Sequence, residues 1–269
     1  MTPDDFLDVA GIDNEDLLND LKQMLLDAEK NRPRSQQRTL GPSEVGHPCM
    51  RKLAHATVAS RKANLTTTER GANSYDDPLA AMIGTGAHTV MEEAARSAND
   101  ALGEGNMRWI PESRVTVRPP ESNRPGLSGT ADLYDLRTHT VLDWKFPGVT
   151  RYKHYVAHGP SPTYRGQAHL YGRGYKNMGF PVSHVGIIFV SRTGTLRQMH
   201  LWREPYSDEL VDEILTRLDD VDRLIDELNL EQNPAGFPQV PMAPDDDCER
   251  TCGWWSPIVE NGYQCPGKG

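Results

Sequence analysis

Two aspartates and a lysine in the segment GTADLYDLRTHTVLDWKF could carry out metal-assisted chemistry. Asp132 precedes a short polar stretch, and Asp143 and Lys145 follow it at the end of an apolar run. Two carboxylates can share a divalent ion that offsets the charge of a phosphate and acidifies a water molecule, while an ammonium group positions or polarises that water. These residue types in this order therefore indicate hydrolysis of a phosphodiester bond.

The same segment predicts a β-hairpin that brings the three side chains together. Leu127–Asp135 and Thr140–Phe146 alternate or run apolar, and the polar residues 137–139 form the turn. Residues two apart in a strand project from the same face, so Asp143 and Lys145 share a face. Asp132 on the partner strand can reach that face as well.

Helices and further strands are predicted on both sides of this hairpin. Apolar periodicity and capping residues predict helices over 13–30, 42–55, 78–98, 161–178 and 207–228, and alternation predicts strands at 109–118, 185–191 and 195–202. The order of helix, three strands, helix, two strands and helix predicts an α/β fold with a sheet flanked by helices. Residues 1–39 are interpreted as an acidic helix and a basic linker, and residues 40–269 as one compact domain.

The charge of the chain is unevenly distributed. The formal net charge is −9, but 1–29 and 207–231 each carry −8, which leaves the remaining residues at +7. The body is therefore basic enough to bind a nucleic acid, although ordinary solvated helix faces would explain the acidic segments equally well. No run of eighteen apolar residues occurs and the N-terminus is acidic, so we expect a soluble cytoplasmic protein without a membrane segment.

Two helical segments carry further candidate site residues. His88 lies on the helix before the hairpin, where its imidazole could complete the coordination of magnesium or manganese, although a single helical histidine more often caps or packs. In the segment PTYRGQAHLYGRGY, Gln167 and Tyr171 are four apart and could both bond a phosphate, a base edge or the lysine. Arg165 and Arg173 flank them and could contact a DNA backbone.

Together these motifs resemble the RecB-like branch of the PD-(D/E)XK nucleases. The similarity covers GxxxH on a helix, GTAD, LDWK and QAHLY, from about Gly84 to Tyr171, with alanine instead of proline before the first aspartate. It implies a restriction-endonuclease-like core, a central mixed sheet between helices, that cleaves DNA with Mg²⁺ or Mn²⁺. It also implies a role for each matching residue: His88, Asp132, Asp143 and the Trp144 carbonyl as metal ligands, Lys145 as the catalytic lysine, and Gln167 with Tyr171 as the QxxxY motif.

The four cysteines are Cys49, Cys248, Cys252 and Cys265. A cytoplasmic chain has little use for disulfides, and four thiolates suit either tetrahedral zinc or an iron–sulfur cluster. One cysteine before the nuclease motifs and three after them resembles the iron–sulfur nucleases of this branch, including AddB-type subunits and CRISPR-associated exonucleases. The resemblance implies a 4Fe–4S cluster that joins the N- and C-terminal parts of the domain, with structural Zn²⁺ as the alternative. Arg51 and Lys52 follow Cys49 directly and could hold a DNA strand near the site, or be exposed charges without a partner.

From these observations we expect a metal-dependent DNA exonuclease acting on ends or single strands in recombination, repair or phage DNA processing. The alternatives are a non-catalytic DNA-binding module that serves a recombination partner, and a CRISPR spacer-processing nuclease. If the protein is such an exonuclease, it could act with a recombination partner protein, and it could form a homo-oligomer.

Overall fold

The protein is an α/β structure in which helices flank one five-stranded mixed sheet. The computed structural model describes residues 14–31, 39–62, 69, 71, 78–121, 124, 126–244 and 248–267. The strands lie in chain order across the sheet: β1 (Trp109–Arg118), β2 (Leu127–Asp135), β3 (Thr140–Lys145), β4 (His184–Phe189) and β5 (His200–Pro205). Neighbouring strands are antiparallel except β3 and β4, which are parallel.

The described helices occupy the segments between and around these strands. They are α1 (Asn14–Lys30), α2 (Pro42–Val45), α3 (Met50–Arg61), α4 (Leu79–Leu102), α5 (Val149–His158), α6 (Pro162–Asn177), α7 (Asp208–Glu227) and α8 (Cys248–Thr251). Short 3₁₀ helices lie at Leu196–Gln198 and Pro234–Gln239. The parallel pair β3–β4 requires a long crossover connection, and α5 and α6 form it.

Helix α6 packs on one face of the sheet and forms the main core there. Ala168, Tyr171 and Tyr175 of this helix pack with buried strand residues such as Val141 and Ile187. The start of α6 follows the predicted capping pattern: Pro162 is the first helical residue and the Tyr164 amide donates to Ser161 Oγ at 3.3 Å. The predicted helix start is therefore confirmed.

Helix α4 covers the opposite face incompletely. None of its residues is buried, although the helix is 24 residues long. Its contacts with the sheet are made to β1 and β2, where Ala95 packs against a small apolar cluster that includes Leu133, Leu142 and Ile188. The helix that carries His88 is thus held less firmly than α6.

Most predicted elements are present, with several differences in their bounds and one additional helix. Residues 42–55 form α2 and α3 instead of one helix, because the chain leaves helical geometry between Gly46 and Cys49. β3 ends at Lys145, one residue earlier than predicted, and Pro147 follows two residues later. β5 begins only at His200, because the Gln198 side chain accepts from the Thr195 amide and stabilises a 3₁₀ turn. The polar helix α5 was not predicted.

Parts of the predicted N-terminal region lie outside the described residues. Helix α1 is present as predicted, and its leucine stripe is exposed. The basic linker falls largely on 32–38, outside the described residues. In the described part of the chain, no helix has both the length and the apolar character needed to cross a bilayer.

Candidate active site

The candidate site lies where β2 and β3 separate. The two strands pair from Asp135↔Thr140 to Leu133↔Leu142, and no backbone pairing is recorded beyond that point. The Trp144 amide donates instead to the Asp132 carboxylate, with 2.7 Å between N and Oδ2. Asp132 therefore occupies the gap between the diverging strands, and its side chain is 12% exposed.

Asp143 is held on the α6 side of the same gap. Its carboxylate is 2% exposed and accepts a hydrogen bond from Gln167 Nε2 at 3.1 Å. The same Gln167 nitrogen lies 3.3 Å from the Tyr171 hydroxyl, so the predicted i, i+4 pair of α6 reaches the carboxylate as one unit. Asp143 Oδ2 also forms an ion pair with Lys145 Nζ.

The two carboxylates and the lysine shift each other's ionisation. Burial and the nearby Asp143 carboxylate raise the pKa of Asp132 well above its usual value. Burial alone would lower the pKa of Lys145, but the carboxylates of Asp143 and Asp132 outweigh it and raise that pKa above its usual range. Lys145 is therefore a fixed cation. A divalent cation beside Asp132 would favour the ionised form of the Asp132 carboxylate.

His88 and a residue not predicted from the sequence complete this cluster. His88 Nδ1 lies 3.4 Å from Asp132 Oδ2. One ligand atom each of His88, Glu112 and Asp132 lie within 4.8 Å of one another, which is the geometry of a possible metal site. Asp143 is not a member of this close group, although the resemblance makes it a ligand. The ligand roles of Asp143 and of the Trp144 carbonyl stay predictions.

The Glu112 side chain faces the site because the regular alternation of side chains between the two faces of the sheet is interrupted at Glu112 on β1 and at Asp132 on β2. Ile110 and Val115 pack in the same cluster, although residues five apart on a regular strand face opposite sides. Glu112 lies between them with φ of 47°, a left-handed conformation that a side-chain-bearing residue rarely adopts. On β2, Ala131 and Tyr134 show the same break around Asp132. The apolar residues at 110 and 115 were the sequence signal for this irregularity.

Three of the four basic residues predicted to contact DNA are instead engaged within the protein. Arg51 is buried, and its guanidinium donates to the carbonyls of Val240 at 3.0 Å and Pro238 at 2.6 Å. Arg165 pairs with Glu204, and Arg173 pairs with Asp208 and Asp212 of α7. Arg51 thus fixes the C-terminal segment, and the DNA contacts of these four residues stay predictions. Lys52 is partly exposed, with a 3.4 Å contact to the Thr251 carbonyl.

The four cysteines line one cavity between α3 and the C-terminal segment, and none of the four is in a disulfide. Arg51 Nη1 lies 3.7 Å from Cys265 Sγ. Burial raises the pKa of Cys252, and the neighbouring Cys265 and Cys49 contribute. In the described part of the chain, no three of these sulfurs lie within 4.8 Å of one another, so a closed four-ligand site is not shown.

Comparisons with known proteins give only distant structural similarities. No family profile and no curated protein matched the chain. An alkaline exonuclease (LHK-Exo) from Laribacter hongkongensis aligns at 14% identity and a TM-score of 0.43, covering 74% of this chain and 95% of that one. A phage-related exonuclease from Haemophilus somnus 129PT aligns at 12% identity and a TM-score of 0.40, covering 68% and 82%.

Proposed function

We propose that this protein is a divalent-metal-dependent nuclease that hydrolyses phosphodiester bonds of DNA. The observation that carries the proposal is the convergence of Asp132, Asp143 and Lys145 at the gap between β2 and β3. His88 joins them from α4. An intact set of two carboxylates, a fixed ammonium and an imidazole argues against the alternative of a non-catalytic DNA-binding module.

The side chains fit a divalent cation of the magnesium or manganese type. The donor set is carboxylate oxygens with one imidazole, and because burial and Asp143 raise the pKa of Asp132, a cation beside it would favour its ionised form. His88, Glu112 and Asp132 would hold the ion, with Asp143 and the Trp144 carbonyl as the further ligands that the resemblance implies. When bound, such an ion neutralises phosphate charge and lowers the pKa of a water molecule.

The protein's own residues then have separate tasks. Lys145 stays protonated, so its ammonium donates to the phosphate or the attacking water and stabilises negative charge as it develops. Gln167 fixes the orientation of the Asp143 carboxylate through the 3.1 Å bond. Tyr171, whose pKa is raised by burial first and then by Asp143, stays a neutral hydroxyl that contacts Gln167.

The proposal includes a preference for DNA ends. One assay tests both the metal-dependent cleavage and this preference. End-labelled linear DNA and circular single-stranded DNA are incubated with Mn²⁺ or with EDTA. We expect metal-dependent release of nucleotides from the linear substrate, with the circle resistant. Asp143→Asn and Lys145→Gln should each lower the rate by about 100-fold or more, whereas Lys153→Gln, an exposed lysine of α5, should cleave like wild type. Cleavage at wild-type rates by both site variants contradicts the proposal.

We propose further that the four cysteines bind a 4Fe–4S cluster, with structural zinc as the alternative. Their shared cavity supports a common ligand. Tetrahedral zinc, with Zn–S bonds of ~2.3 Å, needs sulfurs about 3.8 Å apart, whereas no three of these sulfurs lie within 4.8 Å. Iron and acid-labile sulfide in anaerobically purified protein test the cluster. Zinc without iron removes the cluster and leaves the nuclease proposal standing.

A further inference from the structure

A second cavity opens beside Lys145 and shares no lining residue with the cavity that Asp132 and Glu112 line. Its volume is about 950 Å³, including its open mouth. It is lined by Ala80, residues 146–151, Tyr155, Tyr164 and Arg192, and we call it the Arg151–Arg192 pocket. Most of its wall is the turn after β3 and the first residues of α5, an element that sequence analysis did not predict.

Two aromatic residues connect this pocket directly to the candidate active site. Lys145 Nζ lies 4.8 Å from the centroid of the Tyr164 ring. Phe146 follows Lys145 in the chain, and its ring meets the His88 ring edge-on at 5.5 Å between centroids. A ligand in the pocket is therefore adjacent to a phosphate held at Lys145.

The pocket is suited to an anion. Arg151 and Arg192 are among its lining residues, and none of the lining residues is an acid, although acids outnumber bases in the whole chain. The Arg192 guanidinium reaches over Gly148, where a side-chain carbon would lie 3.5 Å from Nη2. Arg151 contacts the Tyr155 hydroxyl, which in turn contacts Tyr164. Guanidinium groups with tyrosine hydroxyls beside them are typical donors to phosphate oxygens.

The pocket also offers an apolar surface next to these donors. Phe146 and Tyr164 present aromatic rings that are partly exposed, and Val149 is 50% exposed. Aromatic and apolar walls contact the face of a nucleobase most readily when the base is not paired and stacked in a duplex. The combination of guanidinium groups and aromatic walls thus fits a nucleotide of a single strand better than a free phosphate.

We propose that the Arg151–Arg192 pocket binds the unpaired nucleotide next to the bond that is cut, with the arginines on its phosphate and the aromatic residues against its base. The inference rests on the proposed function, because it places the scissile phosphate at Lys145. It assigns the selection of single-stranded ends to this pocket and the hydrolysis to the residues on β2 and β3.

Binding of a fluorescent single-stranded oligonucleotide and of a blunt duplex of equal length tests the proposal, with EDTA present to prevent cleavage. For Arg192→Gln and Arg151→Gln we expect the Kd for the single strand to rise about tenfold. The slope of log Kd against log salt concentration should fall by about 0.7 per lost contact. The Kd for the duplex should change less. Lys153→Gln, on the same helix but outside the pocket, is the matched control and should bind like wild type.

Wild-type Kd and salt slope in both arginine variants overturn the proposal, and so does an equal loss of affinity for single strand and duplex. Arg192 is exposed, so a thermal melt like that of wild type shows that its variant is folded. Failure of this inference differs from failure of the proposed function. If wild type cleaves ends with Mn²⁺ while the arginine variants bind normally, only the pocket is refuted. If arginine-dependent binding occurs without any metal-dependent cleavage, the nuclease proposal is refuted, and with it the position of the bound nucleotide next to a cut bond, while single-strand binding by the pocket stands.

Discussion

At the residue scale, Asp132 combines burial with a second carboxylate nearby, which makes its ionised form costly without a cation. Burial, and then Asp143, raise its pKa in the folded protein above the value in the unfolded chain. The folded state therefore binds more protons than the unfolded state in the pH range between these two values. By linkage, the contribution of Asp132 to stability falls as the pH rises through that range.

This predicts that Asp132→Asn stabilises the protein when metal is absent. In EDTA, the melting temperature of the variant should match wild type near pH 4 and exceed it increasingly towards about pH 8. Thermal unfolding at several pH values measures the difference, and Asp100→Asn, an exposed aspartate at the end of α4, is the control. A difference in melting temperature between Asp132→Asn and wild type that shrinks as the pH rises would contradict a raised pKa of Asp132.

The sequence predicted the residues of the hairpin at this site, but it did not predict Glu112. Asp132, Asp143 and Lys145 lie on a hairpin whose alternation is readable directly, and the observed strand bounds of β1 and β2 match the predicted ones. Glu112 faces the site only because regular alternation breaks at a positive φ. Such a break depends on tertiary packing, which a local pattern does not contain.

At the element scale, the site joins a firmly packed helix to a loosely packed one. Helix α6 contributes Gln167 and Tyr171 from within the core, whereas α4 contributes His88 without burying any residue. Helices with few buried contacts open locally at low free-energy cost. Binding of a metal by His88 would attach α4 to the sheet.

We therefore predict that Mn²⁺ slows hydrogen exchange in α4. Without metal, amides around His88 should exchange faster than those around Gln167, and saturating Mn²⁺ should slow the former by about tenfold or more. His88→Ala should abolish this metal-dependent protection, while Glu93→Gln, an exposed residue of the same helix, should retain it. Mass spectrometry of peptides from both helices measures the effect. Equal protection of the α4 and α6 amides from exchange before metal is added would be evidence against a loosely packed α4.

The elements that sequence analysis missed have a physical explanation. α5 is only ten residues long, and Tyr155 is its single buried residue. Its apolar positions are too few to predict a helix from periodicity. The start of β5 was placed too early because a capped 3₁₀ turn uses residues that also fit a strand. Both errors concern segments whose structure is decided by a few side-chain contacts.

At the scale of the whole molecule, Arg51 joins the beginning of the domain to its end. Its guanidinium bonds carbonyls of residues 187 and 189 positions away, and the cysteines of both segments lie around it. The resemblance implied a metal cluster between the two ends of the domain. Among the described residues, direct contacts also join these ends, including those of Arg51, the contact of Lys52 with Thr251 and the stacking of His55 on Phe237. No sequence pattern distinguishes a buried arginine of this kind from one that binds DNA.

Replacing Arg51 should therefore destabilise the domain as a whole. Arg51→Gln leaves the carbonyls of Pro238 and Val240 without their charged donor, and we expect a loss of about 2–4 kcal/mol in the free energy of unfolding. Urea unfolding followed by fluorescence measures it, and the neighbouring Lys52→Gln should change the midpoint little. Equal midpoints for the two variants would show that Arg51 does not hold the termini together.

The proposed metal ligands and the residues of the Arg151–Arg192 pocket occupy different parts of the chain. His88, Glu112, Asp132 and Asp143 all precede Lys145, whereas every residue that lines the Arg151–Arg192 pocket except Ala80 follows it. Under the two proposals, changes at residues 147–151 and at Arg192 would alter which strand terminus is accepted, while Gln167 and Tyr171, which also follow β3, stay constant. Grafting residues 147–151 together with Arg192 between related proteins is a direct route to altered substrate choice at unchanged chemistry.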